Sequence, residues 1–362
     1  MAFLSGIIIL DAPASALNNA GNTEGATLDN AVAVKSIRTG AGYSIPYVSA
    51  QAFRYWLRSV MERSKDIQWE AAPVFREAKI AYTDADPIKY WDDDLFGYMR
   101  APAKRKDQKA DRESRMGEAG MTETTVHITR VSPFRVGTLL GMSPRTIVSD
   151  FGTMSRHEGD PVPHEHQFYH TALKGMISLD LGACGTFSAI DRTGYRNLDN
   201  VRVAEAEAAG LEKSNNGKVF TLKREERIRR ISSLLQALGV VYGGAKQALH
   251  YTDVTPVIFM GVITKGGNNP LQYTIGADRE GYPETNLEAL RETVTVWKDQ
   301  FMSPIYAGWV KGFRDEEREK LQTALDKITE AEGVKTVTGH PREVLAHIAS
   351  DLARESNKAW LA

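Results

Sequence analysis

The chain has 362 residues, 42% hydrophobic and 25% charged, a composition that suits one elaborated domain or two with a large core and excludes disorder as the default. A formal net charge of −1 and a pI near 6.7 exclude a global positive field for nucleic acid, so any such binding must come from local cation clusters. A single cysteine, Cys184, excludes an internal disulfide framework and suits a reducing cytosol.

In chain order, residues 1–10, MAFLSGIIIL, have no basic leading segment and run into Asp11 and Pro13; a buried strand over 3–10 is expected rather than a signal peptide. A second strand is predicted over 31–38 and a helix over 49–63. The insert 101–121, APAKRKDQKADRESRMGEAGM, has no apolar periodicity. A strand over 124–131 precedes a second insert, 141–171, rich in Gly, Pro, His and Ser. Connections this long are functional or disordered. A strand over 176–190, a helix over 221–239 and the β-branched strand TPVIFMGVIT over 255–264 follow, then helices over 284–300, 314–331 and 341–354. No apolar run approaches the roughly 20 residues of a membrane span, and the expected location is the cytoplasm.

The helix over 49–63 is the most legible element. Ser49 offers an N-cap hydroxyl, and Phe53, Trp56, Leu57 and Val60 recur at i, i+3, i+4 and i+7 as one apolar stripe. Gln51, Arg54 and Arg58 line the other face, the arginines about 6 Å apart and matched to phosphate oxygens by their planar donor forks. A solvated face is the plain reading of such a row. Lys35 and Arg38 shift it, because they end the strand leading into this helix, so that strand end, turn (Thr39 to Pro46) and helix start converge on a basic ledge. The helix N-terminus adds an anion site.

Elsewhere, GGAKQA at 243–248 wraps a phosphate or ends a helix: Gly243 and Gly244 permit close approach and Lys246 supplies charge, but no P-loop pattern is present. His157, His164, His166 and His170 crowd one insert without a cysteine to close a zinc site, and no metal or other cofactor is expected. In DDDLFG at 92–97 three consecutive carboxylates do not all point one way, so a turn leading to Leu95 and Phe96 as core anchors is expected over a cation site. Lys104, Arg105, Lys106, Lys109, Arg112 and Arg115 are read as a mobile finger or a solvated, disordered loop, partly neutralised by Asp107, Asp111 and Glu113. No nucleophile elbow, HExxH or CxxC arrangement is present, and Cys184 is expected to be buried in a strand-like segment.

The string NNAGNTEGATLDNAVAVKSIRTGAGYSIPYVSAQAFRYWLR resembles the N-terminal signature of the DevR-like backbone subunits of type I CRISPR surveillance (Cascade) complexes, members of the RAMP superfamily, of subtype I-B or a near relative. DDDLFGYM at 92–99, SPFRVG at 132–137, HEHQFYHTALKGMISLDLGACGTF at 164–187 and LLQALGVVYGGAKQALHYTDVTPVIF at 234–259 resemble family segments in the same order. The resemblance implies an α+β fold, a modified RRM-like (ferredoxin-like) palm within a single elaborated domain over 1–362. A finger-type insert over 61–123, a thumb-type insert over 138–171 and a C-terminal helical segment over 283–362 complete it.

Copies would polymerise head to tail along the spacer of a CRISPR RNA and present it to target DNA, beside the large, small and guide-end-capping Cascade subunits. Lys35, Arg38, Ser49, Gln51, Arg54, Arg58, Gly243, Gly244 and Lys246 resemble guide-facing positions, and Phe151, Phe168 and Tyr169 in the thumb would stack on bases. Contact would be to phosphate and sugar, since a backbone subunit must accept any spacer. The implied role is a scaffold, not an enzyme. Two alternatives remain: a type III-like subunit cutting target RNA through a loop aspartate, Asp29 or less readily Asp11, and a stand-alone RNA-binding regulator.

Overall fold

A computed structural model describes residues 1–22, 31–77, 80–103, 106–144, 146–156 and 158–362. The first strand, Ala2–Ser15, runs five residues beyond the predicted end at Leu10. Both of its faces are apolar: Leu4, Ile8 and Leu10 enter one core while Ile7 and Ile9 enter another. Such a strand needs cover on both sides and belongs inside a sheet. It pairs antiparallel with Val162–Asp180 on one side and with Pro256–Lys265 on the other, so that Ile7 lies between Met176 and Met260. Gly6 is required there, because a Cβ would lie 2.1 Å from the Met260 carbonyl oxygen.

The main sheet runs Thr336–Gly339, Ile305–Trp309, Pro256–Lys265, Ala2–Ser15, Val162–Asp180, Leu139–Gly141, Ser44–Val48, Ser36–Arg38. The described residues form helices α1 (Ala50–Arg63), α2 (Trp91–Phe96), α3 (Lys106–Glu118), α4 (Asn200–Ala208), α5 (Arg224–Leu238), α6 (Leu287–Trp297), α7 (Asp315–Glu332) and α8 (Pro341–Ala353). Phe53, Trp56 and Leu57 of α1, Ile231 and Leu234 of α5 and Leu345 of α8 share the core over one sheet face. Leu290 and Val294 of α6 and Leu321 and Ile328 of α7 close the core over the other. The architecture is therefore α+β, a large mixed sheet with helices on both faces. Among the described residues no helix is long and apolar enough to cross a membrane.

All five predicted helices are present within a few residues of their expected bounds. The start of α1 is as expected: Ser49 is extended (φ −66°, ψ 148°) and its hydroxyl accepts from Ala52 N at 3.3 Å. Ser49→Ala should cost about 1 kcal/mol in urea unfolding, with Ser49→Thr close to wild type; equal stability of all three proteins would refute the cap.

Four expectations are corrected. The strand 31–38 is two: Ala31–Val34 pairs parallel with Glu165 and His166, and after Lys35 the chain re-pairs as Ser36–Arg38 with Ser44–Pro46, so the end of the supposed turn is strand. The insert 101–121 is not an unstructured loop. It forms α3, anchored by Met116, which is fully buried with Phe75 and Met121, and by Arg112, whose Nε lies 3.0 Å from Glu77 and 3.3 Å from Glu123. Two anchors one turn apart are too few to register as an apolar period.

The Gly/Pro/His insert is likewise regular: Ile147–Met154 pairs with Val162–Tyr169 as a ribbon that continues into the central strand to Asp180. Polar side chains alternate on both faces of a ribbon that leaves the core, so no apolar alternation marks it. The predicted strand 176–190 instead breaks after Asp180, whose carboxylate accepts from Ala183 N at 3.0 Å, and the buried Cys184 lies in that turn.

Candidate nucleic-acid interface

Leu17 and Asn18, just past the first strand, join three of the predicted segments. Asn18 O accepts from Lys35 N at 2.8 Å, Asn18 Oδ1 accepts from Ser49 N at 3.0 Å, and Leu17 O accepts from Ala245 N at 3.0 Å. Strand end, α1 N-terminus and glycine loop are thus tied to one dipeptide. Arg38 and Gln51 are exposed, and Lys35, Ser49 and Lys246 are half-buried. Among the described residues Lys35, Arg38 and Lys246 have no carboxylate partner, which leaves their charge for an external anion. Burial lowers the Lys246 ammonium from its ordinary value.

The glycine loop is not a helix end, since α5 stops at Leu238 with Gly239 as its cap. Both glycines have positive φ, 153° at Gly243 and 108° at Gly244, and their missing side chains face protein: a Cβ would lie 2.5 Å from Trp56 Cγ and from Leu17 Cδ2, respectively. Close packing onto α1 and Leu17 is therefore what demands glycine. Among the described residues the Gly243 and Gly244 amides have no acceptor, and Lys246 follows at φ 51°. Free amides beside an unpaired ammonium are the chemistry of an anion nest.

Arg54 and Arg58 lean the other way, onto the Phe96 ring, with their guanidinium carbons 4.9 and 4.3 Å from its centroid. Arg54 donates to Ser132 Oγ (3.0 Å), Phe134 O (2.6 Å) and Phe96 O (2.7 Å), so its fork holds the corner between α2 and strand Phe134–Val136. Burial, with Arg58 nearby, lowers it to about 10, still charged at neutral pH. Arg58 makes no hydrogen bond among the described residues; burial lowers its guanidinium from the ordinary value, and Asp92, Asp93 and Glu62 nearby oppose that shift.

Behind this corner Leu95 and Phe96 are core anchors and the three aspartates diverge as expected, but on the short helix α2 rather than in a turn. Asp92 accepts from Ala72 N at 2.8 Å, and Asp93 from the Thr83 hydroxyl and from Asp86 N at 3.0 Å. Asp94 joins Arg130 (2.5 Å) and Arg230 (2.9 Å). Burial pushes the Asp93 carboxyl up to about 7, with Asp92 adding to it.

On the ribbon, Phe151 is 64% exposed, with its ring free. Phe168 is stacked on His250 (centroids 5.0 Å apart, planes at 24°), which occupies one face. Tyr169 is 1% exposed inside the larger core and has no face for a base, so the stacking expectation does not hold there. The histidines do not gather as one set: His170 lies 2.7 Å from Pro13 O and 3.1 Å from the Tyr282 hydroxyl, while His166 Nε2 meets His250 Nε2 at 2.9 Å. Burial, then Lys246, holds His166 below the usual imidazole range. His157 lies outside the described residues, among which no group of three potential ligands is placed for a metal ion.

Lys104, Arg105 and Asp29 also lie outside the described residues. Arg112 turns inward onto Tyr82, while Arg115 is exposed and lies over the Phe75 ring. Asp11 sits within the sheet opposite Ala172, its carboxyl raised by burial. Sequence reasoning missed Asn18 and His250. Asn18 acts through its main chain and amide, and His250 lies 84 positions from His166, so neither carries a local signal.

Compared with known proteins, residues 8–287 match the family described as CRISPR-associated negative auto-regulator DevR/Csa2. No curated protein matches the chain. A chain of a solved "CRISPR RNA-guided surveillance complex" superposes with a TM-score of 0.50 at 12% identity, covering 96% of this chain and 99% of that one, a likeness of fold. A chain of a "CRISPR RNA-guided surveillance complex, pre-nicking" gives 0.48 at 13% identity, covering 97% and 99%.

Proposed function

The chain belongs to the CRISPR-associated DevR/Csa2 family, and on that premise we propose that it binds a CRISPR RNA as a backbone subunit of a type I Cascade surveillance complex. The observation that carries this reading is the junction at Leu17 and Asn18, which ties unpaired Lys35, the α1 N-terminus and the Gly243–Gly244–Lys246 nest into one anion-seeking ledge. Arg38, Ser49, Gln51 and Arg58 extend it, and Arg54 braces it through Phe96 and Phe134. Contacts of this kind hold phosphate and leave the bases unread and free to pair with target DNA.

The RRM-like palm is supported by connectivity. Strand Ala2–Ser15, α1, strand Leu139–Gly141, strand Val162–Asp180, α5 and strand Pro256–Lys265 follow β-α-β-β-α-β order, with the sheet arranged fourth, first, third, second. Within the 138–171 insert the ribbon with exposed Phe151 suits a thumb, 61–123 a finger, and 283–362 adds α6 and α7 over the second face and α8 over the first. Head-to-tail addition of copies requires heterologous contacts. In this reading the subunit is a cytoplasmic scaffold without cofactor or catalytic residue, working with other Cascade subunits.

Purification from cells carrying a CRISPR array should return the protein with CRISPR RNA in a particle holding several copies, and complementary labelled RNA with magnesium should stay uncut. Protein free of RNA would overturn the reading. One copy per RNA would favour a stand-alone regulator. Regularly spaced fragments that vanish with Asp29→Ala would favour an RNA-cutting subunit.

A further inference from the structure

The family match ends at Leu287, where α6 begins; beyond it α6 and α7 leave a groove of about 520 Å³ between them. Leu290, Val294 and Ile328 form its floor, and the half-buried Leu287 and Ala324 line its walls. Neither flank is neutral. Arg291 on the α6 wall and Lys327 on the α7 wall are exposed, and among the described residues neither has a carboxylate partner. The acid at this rim, Glu332, is bonded to Lys298 at 2.8 Å, and a further cation, Lys320, lies 3.4 Å from Glu317.

An apolar trough between two helices accepts the apolar ridge of a third, whose flanking side chains then meet the two walls. With an unpaired cation on each wall, that third helix must carry carboxylates on both flanks; a basic or neutral one would leave both charges unmatched. We propose that the α6–α7 groove receives an acidic amphipathic helix of another protein. Apart from Leu287 this surface lies outside the family-matched segment, and it does not depend on the RNA ledge.

The full chain, free of RNA, should bind a fluorescent peptide with leucines along one helical face and glutamates on both flanks, read by anisotropy. Binding should weaken with added salt and fall about tenfold or more in Arg291→Glu/Lys327→Glu, each reversal turning an attraction into a repulsion. That variant should instead prefer the same peptide with lysines for glutamates. Circular dichroism melting checks that it is folded, which two exposed positions should allow. Absence of binding, equal binding of both peptides, or no effect of charge reversal would overturn the proposal. Occupancy by decanoate without peptide binding would assign the groove to a small carboxylate. Self-association of the free chain that the double variant abolishes would assign it to a second copy.

Discussion

Replacing Lys35, Arg38 and Lys246 together with Ala should weaken CRISPR RNA binding about 100-fold at physiological salt, from about 1 kcal/mol for each lost phosphate contact. The loss should be the same for every spacer, because phosphate contacts carry no sequence information. The slope of log K against log salt should flatten by about two, at about 0.7 per contact on a single strand. None of the three cations has a carboxylate partner among the described residues, so their removal should leave the melting temperature unchanged. Arg54→Ala is the internal contrast: with its fork on Phe96 O, Phe134 O and Ser132 Oγ, it should lower stability and barely move the salt slope. A spacer-dependent loss, or an unchanged slope in the triple variant, would remove phosphate contact from the ledge.

What the sequence made legible here is the part encoded locally. Ser49 and the Phe53–Trp56–Leu57–Val60 stripe specify α1 because cap and period lie within one element. The first strand and 256–265 are legible for the same reason: dense β-branched runs buried on both faces read the same in any context. The ledge was half legible. Its cations stand out as residue types, but their meeting point, Leu17 and Asn18, works mainly through backbone carbonyls that any side chain could carry. The direction of Arg54 was hidden too, since helical spacing fixes which face it occupies and the acceptors at Phe96 and Phe134 decide where the fork ends. Likewise α2 and the Asp94 network depend on partners up to 136 positions away, and a DDD string reports none of them.

Those distant partners make the last prediction the largest for stability. Asp94 is fully buried, and its two oxygens accept from Arg130 at 2.5 Å, Arg230 at 2.9 Å and Gly185 N at 3.0 Å. The two arginine side chains are only 3% and 2% exposed, so water cannot replace the carboxylate. Breaking one side of a buried ion pair typically costs about 3–5 kcal/mol, because the surviving charge stays desolvated. Asp94→Ala strands the Arg130 charge, whereas Arg230 keeps the Glu226 carboxylate at 3.0 Å, and both arginines keep carbonyl acceptors, Ala183 and Thr186 for Arg130 and Pro87 and Ile88 for Arg230, which holds the expected cost within that range. That is a large share of a typical domain's stability and should show as a displaced urea midpoint.

Asp94→Asn, which keeps shape and one acceptor, should fall between Ala and wild type. Removing Glu207 from its exposed pair with Lys213 (2.8 Å) should cost well under 1 kcal/mol. Since the network fastens α2, strand Ile128–Arg130, the turn at Gly185 and α5, Asp94→Ala should also reduce any RNA binding in proportion to the folded fraction and with an unchanged salt slope. A stable Asp94→Ala protein would mean that the arginines find other partners and that the network is not what holds this face together.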